Sequence, residues 1–300
     1  MLARTYACGL EGVSGYPVEV EAFISRGMVS FDIVGLPSAA VKESRDRVRA
    51  AIAVSGLEFP FGKVTVNLAP ADVKKDGTAF ELAIAMALLS AKKPAFFSDL
   101  EKTMLLGELS LQGKLMPVRG ALAMVITAAE NGFQSLILPR QNARECECVD
   151  GLHVFPADTL REVFDHLSGG RPLVCQPHRA YQQQWQNQPV SNDLKYVKGQ
   201  KAARKALEVA AAGGHNLLMV GIPGSGKTML ARCLPGILPP LSYEEALETT
   251  LIHSAAGELP PDSGLMTQRP FRAPHHNISV PAMIGGGVKA KPGEVSLAHN

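Results

Sequence analysis

The stretch Leu217-Leu-Met-Val220-Gly221-Ile222-Pro223-Gly224-Ser225-Gly226-Lys227-Thr228 decides how this chain is read. A short aliphatic segment leads into a loop of small residues that ends on a lysine and a threonine, and the loop fits G-x-x-x-x-G-K-[ST]. The spacing has a mechanism. Small residues let the main chain curl until successive N–H groups converge, and a helix starting just afterwards adds the positive end of its dipole. A polyphosphate fits such a cradle. Lys227 then reaches the β- and γ-phosphates and the Thr228 hydroxyl ligates Mg²⁺, so the implied ligand is ATP with its Mg²⁺. The context agrees, with a strand predicted over Leu217 to Val220 and a helix predicted from about Lys227. The plainer alternative is a turn that only caps a helix.

Just upstream, Tyr196-Val197-Lys198-Gly199-Gln200 enters a helix predicted over Gln200 to Ala212, stopped by Gly213-Gly214. A loop in this place can lay Tyr196 and Val197 against an adenine ring. Tyr196, Val197, Gly199 and Gln200 therefore join Gly221 to Thr228 as candidate nucleotide-binding residues. Lys201, Arg204 and Lys205 mark the wet face of the helix, opposite Ala202, Ala206, Leu207 and Ala210.

Ahead of this lies a complete mixed α/β pattern. Val18, Val20, Ala22 and Ile24 alternate with Glu19, Glu21 and Phe23, as in a half-buried strand, and Arg26-Gly27 turns into a second strand over Met28 to Val34. Ser38 offers an N-cap to a helix whose Val41, Val48, Ala51 and Ile52 share a face, with Lys42, Arg45, Asp46 and Arg49 opposite and Gly56 as the stop. A buried strand follows at Lys63 to Leu68, then Thr78-x-x-Glu81 as a capping box for an apolar helix to about Ala91. Strands are expected at Met104 to Leu109, Leu136 to Leu138 and Leu152 to Phe155. Helices are expected at about Gly120 to Glu130 and at Asp158 to Leu167.

Composition limits the classes. With 300 residues, 46% hydrophobic and 19% charged, the chain is long enough for two globular domains, which excludes disorder, collagen and a single disulfide-stapled module. Residues 1–170 carry 17 Lys+Arg against 20 Asp+Glu, and residues 171–300 carry 13 against 8. The basic back half permits a nucleotide or nucleic-acid partner. Between them, residues 171–191 hold three prolines and six glutamines, a poor core and an expected tether. Apolar runs such as Ala83 to Leu89 fall short of the roughly 20 residues that cross a bilayer, and no signal-peptide pattern opens the chain, so a cytoplasmic protein is expected. Cys8, Cys146, Cys148, Cys175 and Cys233 are scattered and read as reduced thiols.

Val197-Lys-Gly-Gln200, Ala210-Ala-Ala-Gly-Gly-His-Asn-Leu217 and the glycine-rich loop together resemble the nucleotide-binding start of the magnesium-chelatase-like AAA+ proteins. Arg269-Pro-Phe-Arg-Ala-Pro-His-His276, and Gly285-Gly-Gly287 through Pro292-Gly-Glu-Val-Ser-Leu-Ala-His-Asn300, are similar to the insert this clade carries before its second strand motif. Along its whole length the chain looks most like the ComM (YifB) type. The resemblance implies a ring-forming ATPase, a homo-hexamer when intact, that drives DNA branch migration as a helicase in natural transformation and recombination. It also implies a Walker B strand ending in Asp-Glu. Between Thr228 and Asn300 no aliphatic run ends that way, and Glu244-Glu245 lies in a helix opened by a Ser242 capping box. The chain is therefore expected to be a front portion that binds ATP without turning it over. A chelatase-type ATPase assisting metal insertion, and a non-hydrolysing binding fragment, are the alternatives.

The front domain resembles the Lon protease fold that ComM-like proteins carry. Where Lon-type enzymes have Lys-Asp-Gly-Pro-Ser-Ala-Gly, this chain has Lys75-Asp-Gly-Thr78-Ala79-Phe-Glu81, which puts Ala79 at the nucleophile's position. Alignment on Asn131-Gly-Phe-Gln-Ser-Leu-Ile-Leu-Pro139 puts Met124 at that of the companion lysine. A methyl group and a thioether make no nucleophile-base pair, so no protease activity and no catalytic residue is expected. Thr78 is read as a cap, with a shifted nucleophile as the rival. His275-His276 is read as structural, with a metal site as the rival. Arg269, Arg272, Lys289 and Lys291 fit either a DNA-facing loop or a solvated insert.

The fold expected is thus α/β, a Lon-like mixed α/β domain followed by part of a P-loop AAA+ domain. The boundaries are 1–170 for the non-catalytic front domain, 171–191 for the linker and 192–300 for the start of the ATPase.

Overall fold

The computed structural model describes residues 1–92, 94–97, 99–181, 192–260, 262–287 and 291–300. Two compact units divide the chain. One comprises Met1–Arg179 and His253–Gly264, the other Ala180–Ile252 and Leu265–Asn300.

In the first unit β1 (Leu2–Glu11) and β2 (Ser14–Ser25) form a hairpin, β3 (Ser30–Val34) leads to α1 (Ala39–Val54), and β4 (Lys63–Ala69) precedes α2 (Glu81–Lys92). Then come β5 (Thr103–Leu105), β6 (Glu108–Leu109), β7 (Leu115–Met116), α3 (Ala121–Glu130), β8 (Ser135–Pro139), β9 (His153–Ala157) and α4 (Leu160–Leu167). Seven strands join in the order β3-β4-β2-β1-β5-β8-β9. Four of the six pairings are parallel, so the unit is α/β with a mainly parallel central sheet.

Burial follows the patterning. Val18, Val20, Ala22 and Ile24 of β2, and Val64, Val66 and Leu68 of β4, all face the core. α1 buries Val41, Val48, Ala51 and Ile52, and its cap forms as expected, with the Val41 N–H donating to Ser38 Oγ at 3.4 Å. α2 is apolar on all sides and buried from Glu81 to Ala91, which makes it the central helix of the core. β1 had no reading in the sequence, because Gly9 and the mixed Arg4-Thr5-Tyr6 run break its alternation; only its place at the centre of the sheet reveals it.

Three expectations are corrected. The single strand over Met104 to Leu109 is broken, because the chain turns at Gly107 to reach the start of α2: the Gly107 N–H donates to the Ala79 carbonyl and the Gly107 carbonyl accepts from the Leu82 N–H, both at 3.1 Å. The Thr78 hydroxyl does not cap α2; it donates to Glu108 Oε2 at 2.5 Å, while Glu81 accepts from Arg47 and from the Leu109 N–H. Charge-assisted bonds outcompete a neutral cap. Residues 171–179, expected as tether, lie along the first unit instead. The Leu173 N–H donates to His166 Nδ1, the Gln176 N–H to the Val154 carbonyl and the Arg179 N–H to the Glu147 carbonyl. The rest of the expected linker, 182–191, lies outside the described residues.

The second unit contains α5 (Lys201–Gly213), α6 (Lys227–Cys233) and α7 (Tyr243–Ala256), the last of which belongs to the first unit from His253 onward. α8 (Val280–Ile284), the short pair β10 (Gly285–Gly286) and β11 (Lys291–Pro292), and α9 (Glu294–Leu297) follow. Its small core is built from Leu194, Val197, Leu207, Leu230 and Cys233. The strand expected over Leu217 to Val220 is not formed. Among the described residues no strand pairs with it, and Leu218 and Val220 are 87% and 88% exposed. Aliphatic β-formers need a neighbouring strand for their backbone groups before the pattern becomes structure. Among the described residues no helix is long and apolar enough to cross a membrane.

Candidate phosphate-binding loop

The loop Gly221 to Thr228 is held between the core of the second unit and α6, which Leu230 and Cys233 anchor by packing on Leu194, Val197 and Leu207. Gly224 and Gly226 take φ of 78° and 87°, a left-handed backbone that favours glycine, so shape requires the second fixed glycine of the pattern, Gly226, and also Gly224 at one of its variable positions. The Lys227 ammonium folds back into the loop. It donates to the carbonyls of Gly221 (2.8 Å) and Ile222 (2.9 Å) and to Ser225 Oγ (3.3 Å). Among the described residues no acceptor takes the N–H groups of Gly224, Gly226, Lys227 or Thr228, and the Thr228 side chain is exposed. A curled main chain, a run of available amides, an ammonium and a hydroxyl at the rim are the donor set for a polyphosphate and its cation. Ile222 and Pro223 form the exposed lip.

The upstream segment reaches the same place. Gln200 Nε2 donates to the Ser225 carbonyl at 3.4 Å, and Arg204 Nη1 donates to the Val197 carbonyl at 3.3 Å, which ties the entry of α5 to the loop. Gly199 has φ of 74°. Tyr196 is 73% exposed, with the Lys195 ammonium 4.9 Å from its ring centre. Val197 corrects the sequence reading: it is 5% exposed and packs in the core, because the turn that presents Tyr196 outward directs its neighbour inward. Of the pair, Tyr196 is the one open to a base.

The positive insert divides. Arg269 pairs with Glu245 at 3.0 Å and donates to the carbonyls of Pro239 and Asn300, and Arg272 pairs with both carboxylate oxygens of Glu294 at 2.7 and 2.6 Å. Both guanidinium charges are neutralised within the unit. Lys291 stays exposed, and Lys289 lies outside the described residues. His275 and His276 stack with ring centres 4.1 Å apart. No group of three or more His, Cys, Asp or Glu that could hold a metal occurs among the described residues.

In the first unit, Ala79 and Met124 are 7% and 3% exposed and belong to one apolar cluster with Met104, Leu106 and Val118. The two positions are filled with a methyl group and a thioether. Sequence reasoning missed the polar network beside them, Arg47–Glu81–Leu109 N–H and Thr78–Glu108, because its partners are up to 34 residues apart. No disulfide joins the cysteines, and burial pushes the Cys8 thiol up to about 12 and that of Cys148 to about 11.

Fold and loop together define an α/β protein with a Lon-like front domain and a P-loop-type segment behind it. A family model described as "Magnesium chelatase, subunit ChlI" matches residues 193–300, and one described as "Subunit ChlI of Mg-chelatase" matches residues 20–142. The uncharacterized protein YifB of Salmonella typhimurium is 46% identical over 299 residues, covering 100% of this chain and 58% of that protein. The competence protein ComM of Haemophilus influenzae is 41% identical over 302 residues, again 100% of this chain and 58% of the relative. Part of the chain is similar to a Lon protease of Trichlorobacter lovleyi, 29% identical over 143 residues, 45% of this chain and 17% of that enzyme. The chain is thus similar to the magnesium chelatase subunit ChlI over residues 20–142 and 193–300 and to YifB and ComM along its whole length, and it spans less than two thirds of the length of these relatives.

Proposed function

We propose that this chain binds ATP with Mg²⁺ through Gly221 to Thr228, as part of a cytoplasmic AAA+ motor that assembles as a homo-hexameric ring and moves DNA branches in recombination and natural transformation. The observation that carries the reading is the Lys227 ammonium lodged on the loop's own carbonyls beside four available amides. The cation sits where a triphosphate tail would accept it. Lys227 would hold the far phosphates and Thr228 the Mg²⁺, which when bound offsets phosphate charge; Tyr196 would face the base. The DNA partner is supported by a relative named a competence protein and by the basic balance of the back half.

Calorimetry on the folded 300-residue chain tests the loop: ATP with Mg²⁺ gives binding heat, and Lys227→Ala removes it. No heat from the wild type, or the same heat from the variant, ends this reading. Hydrolysis by these residues alone is not expected, because no aliphatic run ending in Asp-Glu occurs between Thr228 and Asn300. A metal-insertion motor is the second reading, favoured by the description of the matching family models. ATP-dependent unwinding of branched DNA by a full-length relative separates the two, and chelatase assistance without unwinding would favour the second.

A further inference from the structure

Gln200 is poorly suited to the position it occupies. It is the residue just before α5 and takes φ of 50°, a left-handed backbone that side-chain-bearing residues adopt only at a cost. Its side chain makes no bond to the first turn of α5, where Ser, Asp or Asn would serve as a cap. Neither helix capping nor backbone preference explains a glutamine here. Its one side-chain hydrogen bond among the described residues runs from Nε2 to the Ser225 carbonyl.

That carbonyl shares a planar peptide with the N–H of Gly226, and in a trans peptide the two point in opposite directions. Drawing the Ser225 carbonyl toward Gln200 therefore turns the Gly226 N–H away from Gln200. Gly226 can follow because its φ of 87° suits glycine. Among the described residues no acceptor takes the released N–H.

We propose that Gln200 is a positioning residue: its amide holds the Ser225–Gly226 peptide in the orientation that aims the Gly226 N–H at a bound phosphate, so the loop is organised before the ligand arrives. The proposal rests on the reading of the loop as an ATP site and gives Gln200, a candidate nucleotide-binding residue from the sequence, an indirect role there. A preorganised donor strengthens binding because no peptide has to turn over when the ligand enters.

The test compares wild type, Gln200→Gly and Gln200→Glu in the full 300-residue chain, with Mg²⁺-ATP and with Mg²⁺-tripolyphosphate, which has no base. Glycine removes the amide and suits the left-handed backbone, so Gln200→Gly keeps or raises the thermal midpoint. The expected result is a loss of about fivefold in affinity for both ligands, the net contribution of one hydrogen bond. Gln200→Glu, of equal size but with an acceptor facing the carbonyl, loses at least as much. Unchanged affinities in Gln200→Gly overturn the proposal. A loss confined to ATP overturns it in favour of a base contact, and a fall in thermal midpoint together with affinity overturns it in favour of support for the fold. If the wild type binds neither ligand, the ATP-site reading fails as well, which distinguishes the two failures.

Discussion

Glu81 shows how a buried charge is settled in the front domain. At 1% side-chain exposure it accepts from Arg47 at 2.9 and 2.6 Å and from the Leu109 N–H at 2.8 Å. Burial raises its pKa, and the bonds from Arg47 and Leu109 oppose that rise. Glu81→Ala leaves a guanidinium and a buried amide without their acceptor, and is expected to cost about 3 kcal/mol in urea unfolding. Thr78 belongs to the same region and separates a structural role from a catalytic one. Thr78→Ala should cost about 1 kcal/mol through the lost bond to Glu108. Casein stays intact with wild type and variant alike; cleavage by the wild type that vanishes in Thr78→Ala would revive the protease reading. Lys75 needs no sequence rule of its own: it is fully buried, its ammonium donates to the Val73 carbonyl, and burial lowers its pKa.

Two helix starts with the same S/T-x-x-E signature behave differently. Before α7 the box closes both ways, the Glu245 N–H donating to Ser242 Oγ at 3.1 Å and the Ser242 N–H to Glu245 Oε2 at 3.0 Å. Before α2 it does not form. Ser242→Ala should therefore lower stability by about 1 kcal/mol by thermal or urea melts, the usual loss for a missing cap. The segment from His253 to Gly264 is fastened to the first unit by Ser254, whose hydroxyl donates to Glu145 Oε2 at 2.7 Å and whose carbonyl accepts from the Gly120 N–H at 3.0 Å. Asn142 donates to the other Glu145 oxygen at 2.7 Å. Burial raises the Glu145 pKa above the ordinary 4.5, with the bonds from Ser254 and Asn142 opposing. The folded chain thus keeps a proton over a range where the unfolded chain has lost it. This contribution to stability falls as pH rises from 4.5 through the raised value. In Glu145→Gln that slope should disappear from a pH series of melts; an unchanged slope would assign it to other groups.

Taken over the two units, charge alone is a poor guide to a nucleic-acid surface. The back half is basic, yet Arg269 and Arg272 are neutralised by Glu245 and Glu294, with the Arg272 pair 26% and 22% exposed. Arg272→Ala is expected to lower the thermal midpoint and to leave the salt dependence of single-stranded DNA binding unchanged. Lys291→Ala is expected to reduce the slope of log affinity against log salt by about 0.7, the share of one phosphate contact on a single strand. Titrations between low and moderate salt measure both, and a flattened slope in Arg272→Ala would place that guanidinium on the DNA.

The periodic elements were legible in advance because their signal is local. Alternation in β2 and β4, the one-faced burial of α1, the Ser38 and Ser242 caps and the glycines of the loop each depend on residues a few positions apart. The candidate site was legible for the same reason in Gly221 to Thr228, where shape and chemistry are written in eight consecutive residues. What could not be read depends on partners far along the chain. β1 became visible by pairing, Leu217 to Val220 remained without a strand for want of a neighbour, and Thr78 exchanged its cap for Glu108. Val197 went into the core, and Arg269 and Arg272 met acids 24 and 22 residues away. Backbone geometry and short-range polarity act within a turn or two of chain, whereas hydrogen-bond partners and buried charges compete across the folded molecule, and the strongest available pairing wins.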